Sequence, residues 1–123
     1  IVMIPQNEDS HPTHKLARLI TIKALKKYGK KVYTWNYESP WALFHHGHFN
    51  TIVSVPERFL KRKIDAVKKH KSQILRTRYD IAAESLAKLR GALIPEQELC
   101  AFGENPVKIS PYIELFSRKT VNK

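Results

Sequence analysis

The chain has 123 residues, with 22 Lys and Arg against 11 Asp and Glu and a formal net charge of +11. Hydrophobic residues at 42% and charged residues at 27% describe a folded domain with one core and exclude a disordered chain. No apolar run approaches the ~20 residues of a bilayer span, no signal-peptide pattern opens the chain, and the single Cys100 excludes an internal disulfide, so a soluble, cytoplasmic domain is expected.

The apolar run Ile1-Val2-Met3-Ile4, stopped by Pro5, predicts the end of a buried strand. A chain that starts inside a strand without a Met reads as a fragment whose neighbour lies upstream. Residues 6–10 form a loop. Pro12 suits a first helical position, with Ser10 or His11 as the cap. The helix it opens carries Leu16, Ala17, Ile20, Ala24 and Tyr28 on one stripe, with Lys15, Arg18, Lys23, Lys26 and Lys27 mostly away from it, and Gly29 closes it. Residues 31–37 are β-branched and aromatic and predict a strand. Residues 38–47 read as a loop containing Pro40, Trp41 and histidines.

Residues 49–55 predict a further strand shut off by Pro56, which opens a second helix over 56–73 with Leu60, Ile64, Val67 and Ile74 on its inner face. Thr77 and Asp80 stand at capping-box distance before a third helix over 80–93, whose apolar positions are Ala82, Ala83, Leu86, Ala87, Leu89 and Leu93. Residues 95–106 read as loop and 110–118 as a last strand. The alternation predicts an α/β layer structure of about three helices and three to four strands.

The charge is uneven. Residues 15–31 hold seven basic side chains and no acid, residues 58–78 hold nine against Asp65, and the remainder is net −4. Two readings compete, a phosphate or nucleic-acid footprint and the solvated outer faces of two helices. Trp35, Tyr37, Trp41 and Phe44 lie between the basic helices rather than among their charges, which argues against nucleic acid.

The sharpest chemical feature is Glu8-Asp9-Ser10-His11-Pro12-Thr13-His14. Two imidazoles three residues apart at a loop-to-helix junction, preceded by a carboxylate, form half of a metal or acid–base site. Neutral imidazole is a good ligand for Zn²⁺, and a helix N-terminus disfavours the imidazolium form. The structural alternative is that His11 and Asp9 cap the helix while His14 lies on its surface. His45, His46 and His48 form a second cluster, read as an exposed loop rather than a metal site. His70 borders the apolar face at the end of the second helix, where a histidine interacts well with the last carbonyls. Cys100 beside Phe102 reads as buried and inert.

In order, these segments resemble the metal-dependent de-N-acetylases of the LmbE-like and PIG-L family, over about residues 1–118. The family's Asp-x-His-Pro-Asp-His element is matched by Asp9-Ser10-His11-Pro12-Thr13-His14 except at Thr13. Its later Lys-x-x-Ala…His-x-Ser-Gln pattern is matched by Lys63, Ala66, His70, Ser72 and Gln73, and Glu114-Leu115-Phe116 is similar to its closing element. Tyr37-Glu38 sits where the family carries an aromatic–acid pair. The resemblance implies a Rossmann-like three-layer α/β fold, of which this chain is the C-terminal part of one domain. It also implies zinc-dependent hydrolysis of the acetamide of an N-acetylglucosamine-type conjugate.

His14 is then a metal ligand. His11 stabilises the tetrahedral intermediate or protonates the leaving amine, and Asp9 holds His11 in place. Tyr37, Glu38, His70, Ser72 and Gln73 bind substrate or support the site. The family's His-Pro-Asp-Asp element, which supplies two metal ligands and the general base, is not present in residues 1–123. The resemblance therefore places the remaining Zn²⁺ (or other divalent metal) ligands upstream, and some members follow a glucosamine-6-phosphate deaminase-like domain. A basic nucleic-acid or phosphate module and a catalytically idle sugar-binding or assembly domain are the alternatives.

Overall fold

The computed structural model describes residues 1–45, 47–94 and 110–122. In chain order these form β1 (Val2–Pro5), α1 (Pro12–Tyr28), β2 (Val32–Tyr37), β3 (Thr51–Ser54), α2 (Glu57–Lys69), α3 (Lys71–Ile74), α4 (Tyr79–Leu93) and β4 (Ile113–Val121). The mixed α/β content follows the expectation. The strands make one mixed four-stranded sheet of order β1-β2-β4-β3, parallel between β1 and β2 and antiparallel between β2 and β4. The chain divides into two units, Ile1–Ile52 with Leu115–Lys123, and Val53–Glu114. Among the described residues no helix is long and apolar enough to cross a membrane.

The first unit is built on a β1-α1-β2 crossover. The register runs from Val2 opposite Thr34 to Pro5 opposite Tyr37, so the two strands end level. Pro12 occupies the first turn of α1 and His11 is its extended N-cap, without a capping side chain. Gly29, at φ 72°, takes the left-handed conformation that ends the helix and donates its N–H to the Leu25 carbonyl.

The helix face differs from the expected stripe. Leu16 and Ile20 are 56% and 58% exposed, and the half-buried positions are His14, Arg18, Thr21, Ile22 and Leu25. Arg18, expected to face outward, instead reaches the strand ends and donates from Nη1 to the Pro5 carbonyl (2.8 Å) and to Asn36 Oδ1. Burial pulls its pKa down from the usual guanidinium value.

The interior of this unit is unusually polar. Gln6, Asp9, Thr34, Asn36, Ser39 and Ser117 are buried beside Ile4, Ala42, Phe44 and Phe116. A buried amide or hydroxyl costs stability unless it is paired, and Gln6, Asp9, Thr34, Asn36 and Ser39 are paired. Gln6 Nε2 donates to the Ala42 carbonyl, Asn36 Nδ2 to Ser117, and Thr34 Oγ1 to Lys119.

In the second unit α2 and α4 pack around Leu60, Ile64 and Ala87, with Val55, Ala83 and Tyr112 against them. Leu89 and Leu93 face outward. The helix expected over 56–73 breaks at His70, which leaves helical geometry (ψ 62°) and donates its N–H to Val67 before α3 begins. Lys63 and Glu114 form an ion pair at 2.6 Å.

The capping box expected from Thr77 and Asp80 does not form. The cap position is Arg78, whose guanidinium grips the buried Asp80 carboxylate through Nε (3.0 Å) and Nη2 (2.9 Å). Those Arg78 hydrogen bonds hold the Asp80 carboxyl at about 2. The pair's contribution to stability is full above about pH 4, the unfolded value, and is lost as pH falls towards 2. A carboxyl NMR titration should place the Asp80 midpoint near 2 and return it to the ordinary range in R78Q. An unchanged midpoint in R78Q contradicts the pairing. His46, Cys100 and the loop expected over 95–106 lie outside the described residues.

Candidate functional site

Because β1 and β2 are parallel and end level, the loops that follow them leave the sheet on the same side. The carboxyl ends of parallel strands are where α/β sheets gather ligands. The loop after β1 brings Asp9, His11 and, at the first turn of α1, His14. The loop after β2 brings Ser39 and Trp41.

Asp9 is the centre of this arrangement and is 0% exposed. Its Oδ1 accepts the His11 backbone N–H at 2.9 Å. Its Oδ2 accepts the Ser39 hydroxyl at 2.6 Å and faces His14 Nδ1 at 2.7 Å. Burial pushes the Asp9 carboxyl up, but the Ser39, His14 and His11 hydrogen bonds together outweigh it and leave the pKa below the ordinary value. A carboxylate only accepts, so the neutral His14 ring carries its proton on Nδ1 and presents the lone pair of Nε2. A carboxylate fixing the far nitrogen of a ligand histidine is a recurrent support in metal sites.

Asp9, expected to hold His11, touches it only at the backbone N–H. The ring that Asp9 orients is that of His14. The His11 ring stands 4.7 Å from that of His14 and 5.1 Å from Trp41, and Trp41 lies 5.6 Å from His14. Among the described residues the buried Nδ1 of His11 has no hydrogen-bond partner.

Tyr37 ends β2 half-buried, and burial together with the Asp9 charge pushes its hydroxyl pKa up. Glu38 turns back to accept the Phe44 N–H at 2.6 Å and so shapes the loop behind Trp41. His70, Ser72 and Gln73 belong to the other unit, where all three are exposed at the α2–α3 break. The first unit's site thus gathers Asp9, His11 and His14, with Tyr37 at the end of β2 near enough to feel the Asp9 charge.

Ser39 and Trp41 are the members that sequence reasoning missed. Their only signal is position, just past the end of a strand that pairs in parallel with β1. His45 and His48 lie in the expected loop, with rings 5.9 Å apart and His48 Nδ1 at 3.5 Å from Glu8.

As a metal site the donor chemistry is partial. His14 Nε2 fits one nitrogen ligand. Among the described residues no group of three His, Cys, Asp or Glu converges on a common point. Compared with protein-family models, curated proteins and solved structures, the chain matches none.

Proposed function

We propose that this chain supplies the histidine half of a zinc-dependent amidase centre that removes the acetyl group from an N-acetylglucosamine-type conjugate. The fold is then the C-terminal part of a Rossmann-like deacetylase domain in a cytoplasmic protein. The observation that supports this reading is the Asp9–His14 contact at 2.7 Å, made by a fully buried carboxylate. It prepares one nitrogen for a metal at the carboxyl edge of the parallel strands.

Zinc, when bound, supplies Lewis acidity towards an otherwise unreactive amide carbonyl. His14 would hold it through Nε2, its ring fixed by Asp9 and Asp9 fixed by Ser39. His11 gives a proton to the departing amine or stabilises the oxyanion of the tetrahedral intermediate. Trp41 keeps one side of the imidazole pair apolar. On this reading the remaining ligands and the general base would come from a His-Pro-Asp-Asp element outside these 123 residues, in a protein that could also carry a glucosamine-6-phosphate deaminase-like domain.

Isothermal titration with zinc should give binding weaker than about 1 μM, lost in H14A, because one prepared histidine is far from a full ligand set. Submicromolar binding that requires His14 contradicts the division of the site. Joined to a segment bearing the His-Pro-Asp-Asp element, the chain should release acetate from an N-acetylglucosamine conjugate. H11A and H14A should each slow that release by about a hundredfold or more. A joined protein that binds zinc and releases no acetate overturns the deacetylase reading. It would favour the idle assembly role, for which the exposed Leu16, Leu19 and Ile20 of α1 speak.

A further inference from the structure

A cavity of about 370 Å³ lies in the first unit, within the range of small-molecule sites. Its walls include Gln6, Asn7, Phe44, Phe49, Asn50 and Lys119. None of Asp9, His11, His14 and Trp41 lines it, so it is separate from the candidate metal centre. The two share the loop after β1, since Gln6, Asn7 and Glu8 run directly into Asp9.

Most of its amides are already committed. Asn36, also in the wall, accepts from Arg18 and donates to Ser117. Asn50 behaves as a strand residue, with Nδ2 donating to the Arg118 carbonyl (2.8 Å) and Oδ1 accepting the Arg118 N–H (2.7 Å). Gln6 donates to Ala42. The cavity is therefore held open by saturated side chains and needs little ordering to receive a ligand.

Few other groups complete the wall. Glu8 has His48 as its partner at 3.5 Å. Lys119 is exposed on β4, and among the described residues its Nζ has neither an acidic partner nor a hydrogen bond. Asn7 adds an amide, and Phe44 and Phe49 add aromatic wall. A cation, a polar amide and two phenyl rings around one small cavity suit a ligand with an anionic group, hydroxyls and an apolar ring face.

We infer that this cavity binds a hydroxylated anion of monosaccharide size, its anionic group on Lys119 and its ring against Phe44 and Phe49. The assignment does not rest on the deacetylase reading. The test is a ¹H–¹⁵N titration of the full chain with glucose 6-phosphate and with glucuronate, which separate a phosphate ester from a carboxylate. Glucose and inorganic phosphate serve as comparisons.

At least one of the anionic sugars should shift the backbone amides of Asn7, Gly47, Asn50 and Lys119 saturably, and bind about tenfold tighter than glucose or inorganic phosphate. K119Q, a change on an exposed strand position, should keep the spectrum of the folded chain and lose about tenfold in affinity. Absence of saturable shifts at these amides overturns the assignment. So does equal binding of glucose or of inorganic phosphate, or undiminished binding in K119Q.

Discussion

Asp9→Ala is expected to lower the stability of the chain by roughly 3 kcal/mol. The carboxylate is fully buried and answers three donors, the His11 N–H, the Ser39 hydroxyl and the His14 ring. Alanine removes the acceptor and leaves those donors, the Ser39 hydroxyl buried and the other two half-buried, without their partner. It also removes a negative charge from the N-terminal end of α1, where the helix dipole favours one and where the first turn carries no acid of its own.

Asp9→Asn separates the two effects. It keeps the volume, but it turns an NH₂ towards at least one donor. A smaller loss, of about 1 kcal/mol, should come with a change in the His14 tautomer. Because Asp9 titrates below its unfolded value, its contribution is present above the unfolded pKa of about 4 and is lost as pH falls further. Both variants should therefore flatten the acid limb of the stability profile. Urea denaturation of wild type, D9A and D9N across that range checks this. A midpoint unchanged in D9A contradicts the role assigned to the carboxylate.

Gly91→Ala is expected to cost about 3 kcal/mol, against the direction that helix propensity alone would give. In an open helix interior alanine is better than glycine by about 1 kcal/mol. At Gly91, however, an added Cβ would lie 1.9 Å from the Pro111 carbonyl oxygen and 2.7 Å from its carbon. Both are backbone atoms, and Pro111 cannot rotate its φ to yield. α4 would have to withdraw from the segment entering β4, which loosens the Leu60–Ile64–Ala87 core beside Tyr112. Thermal melting distinguishes the cases, since a G91A chain that melts higher than wild type contradicts the close approach.

The two substitutions mark how far local sequence reaches. The strand-helix-strand order, the Pro12 start and the Gly29 end of α1 follow from local chemistry and are legible residue by residue. The buried face of α1 is not. Arg18 is drawn inward by Asn36 and the Pro5 carbonyl, partners 18 and 13 residues away, and the apolar stripe is left outside. The break at His70 falls in Lys68-Lys69-His70-Lys71, where neither glycine nor proline announces it.

At the candidate site the His11–His14 spacing was visible, but the division of labour around Asp9 was not. The contact from Asp9 to His14 depends on how the cap residue turns the chain into α1. Ser39 and Trp41 enter only through the parallel pairing of β1 with β2, which no local pattern encodes.

The most direct test of the central claim is a long-range ¹H–¹⁵N correlation spectrum of the His14 ring in its neutral form. The buried Asp9 carboxylate should hold the proton on Nδ1 and leave Nε2 bare, and added zinc should move the Nε2 resonance first. A His14 ring protonated on Nε2, or a bare Nε2 that zinc leaves unmoved, contradicts the assignment of His14 as the prepared metal ligand.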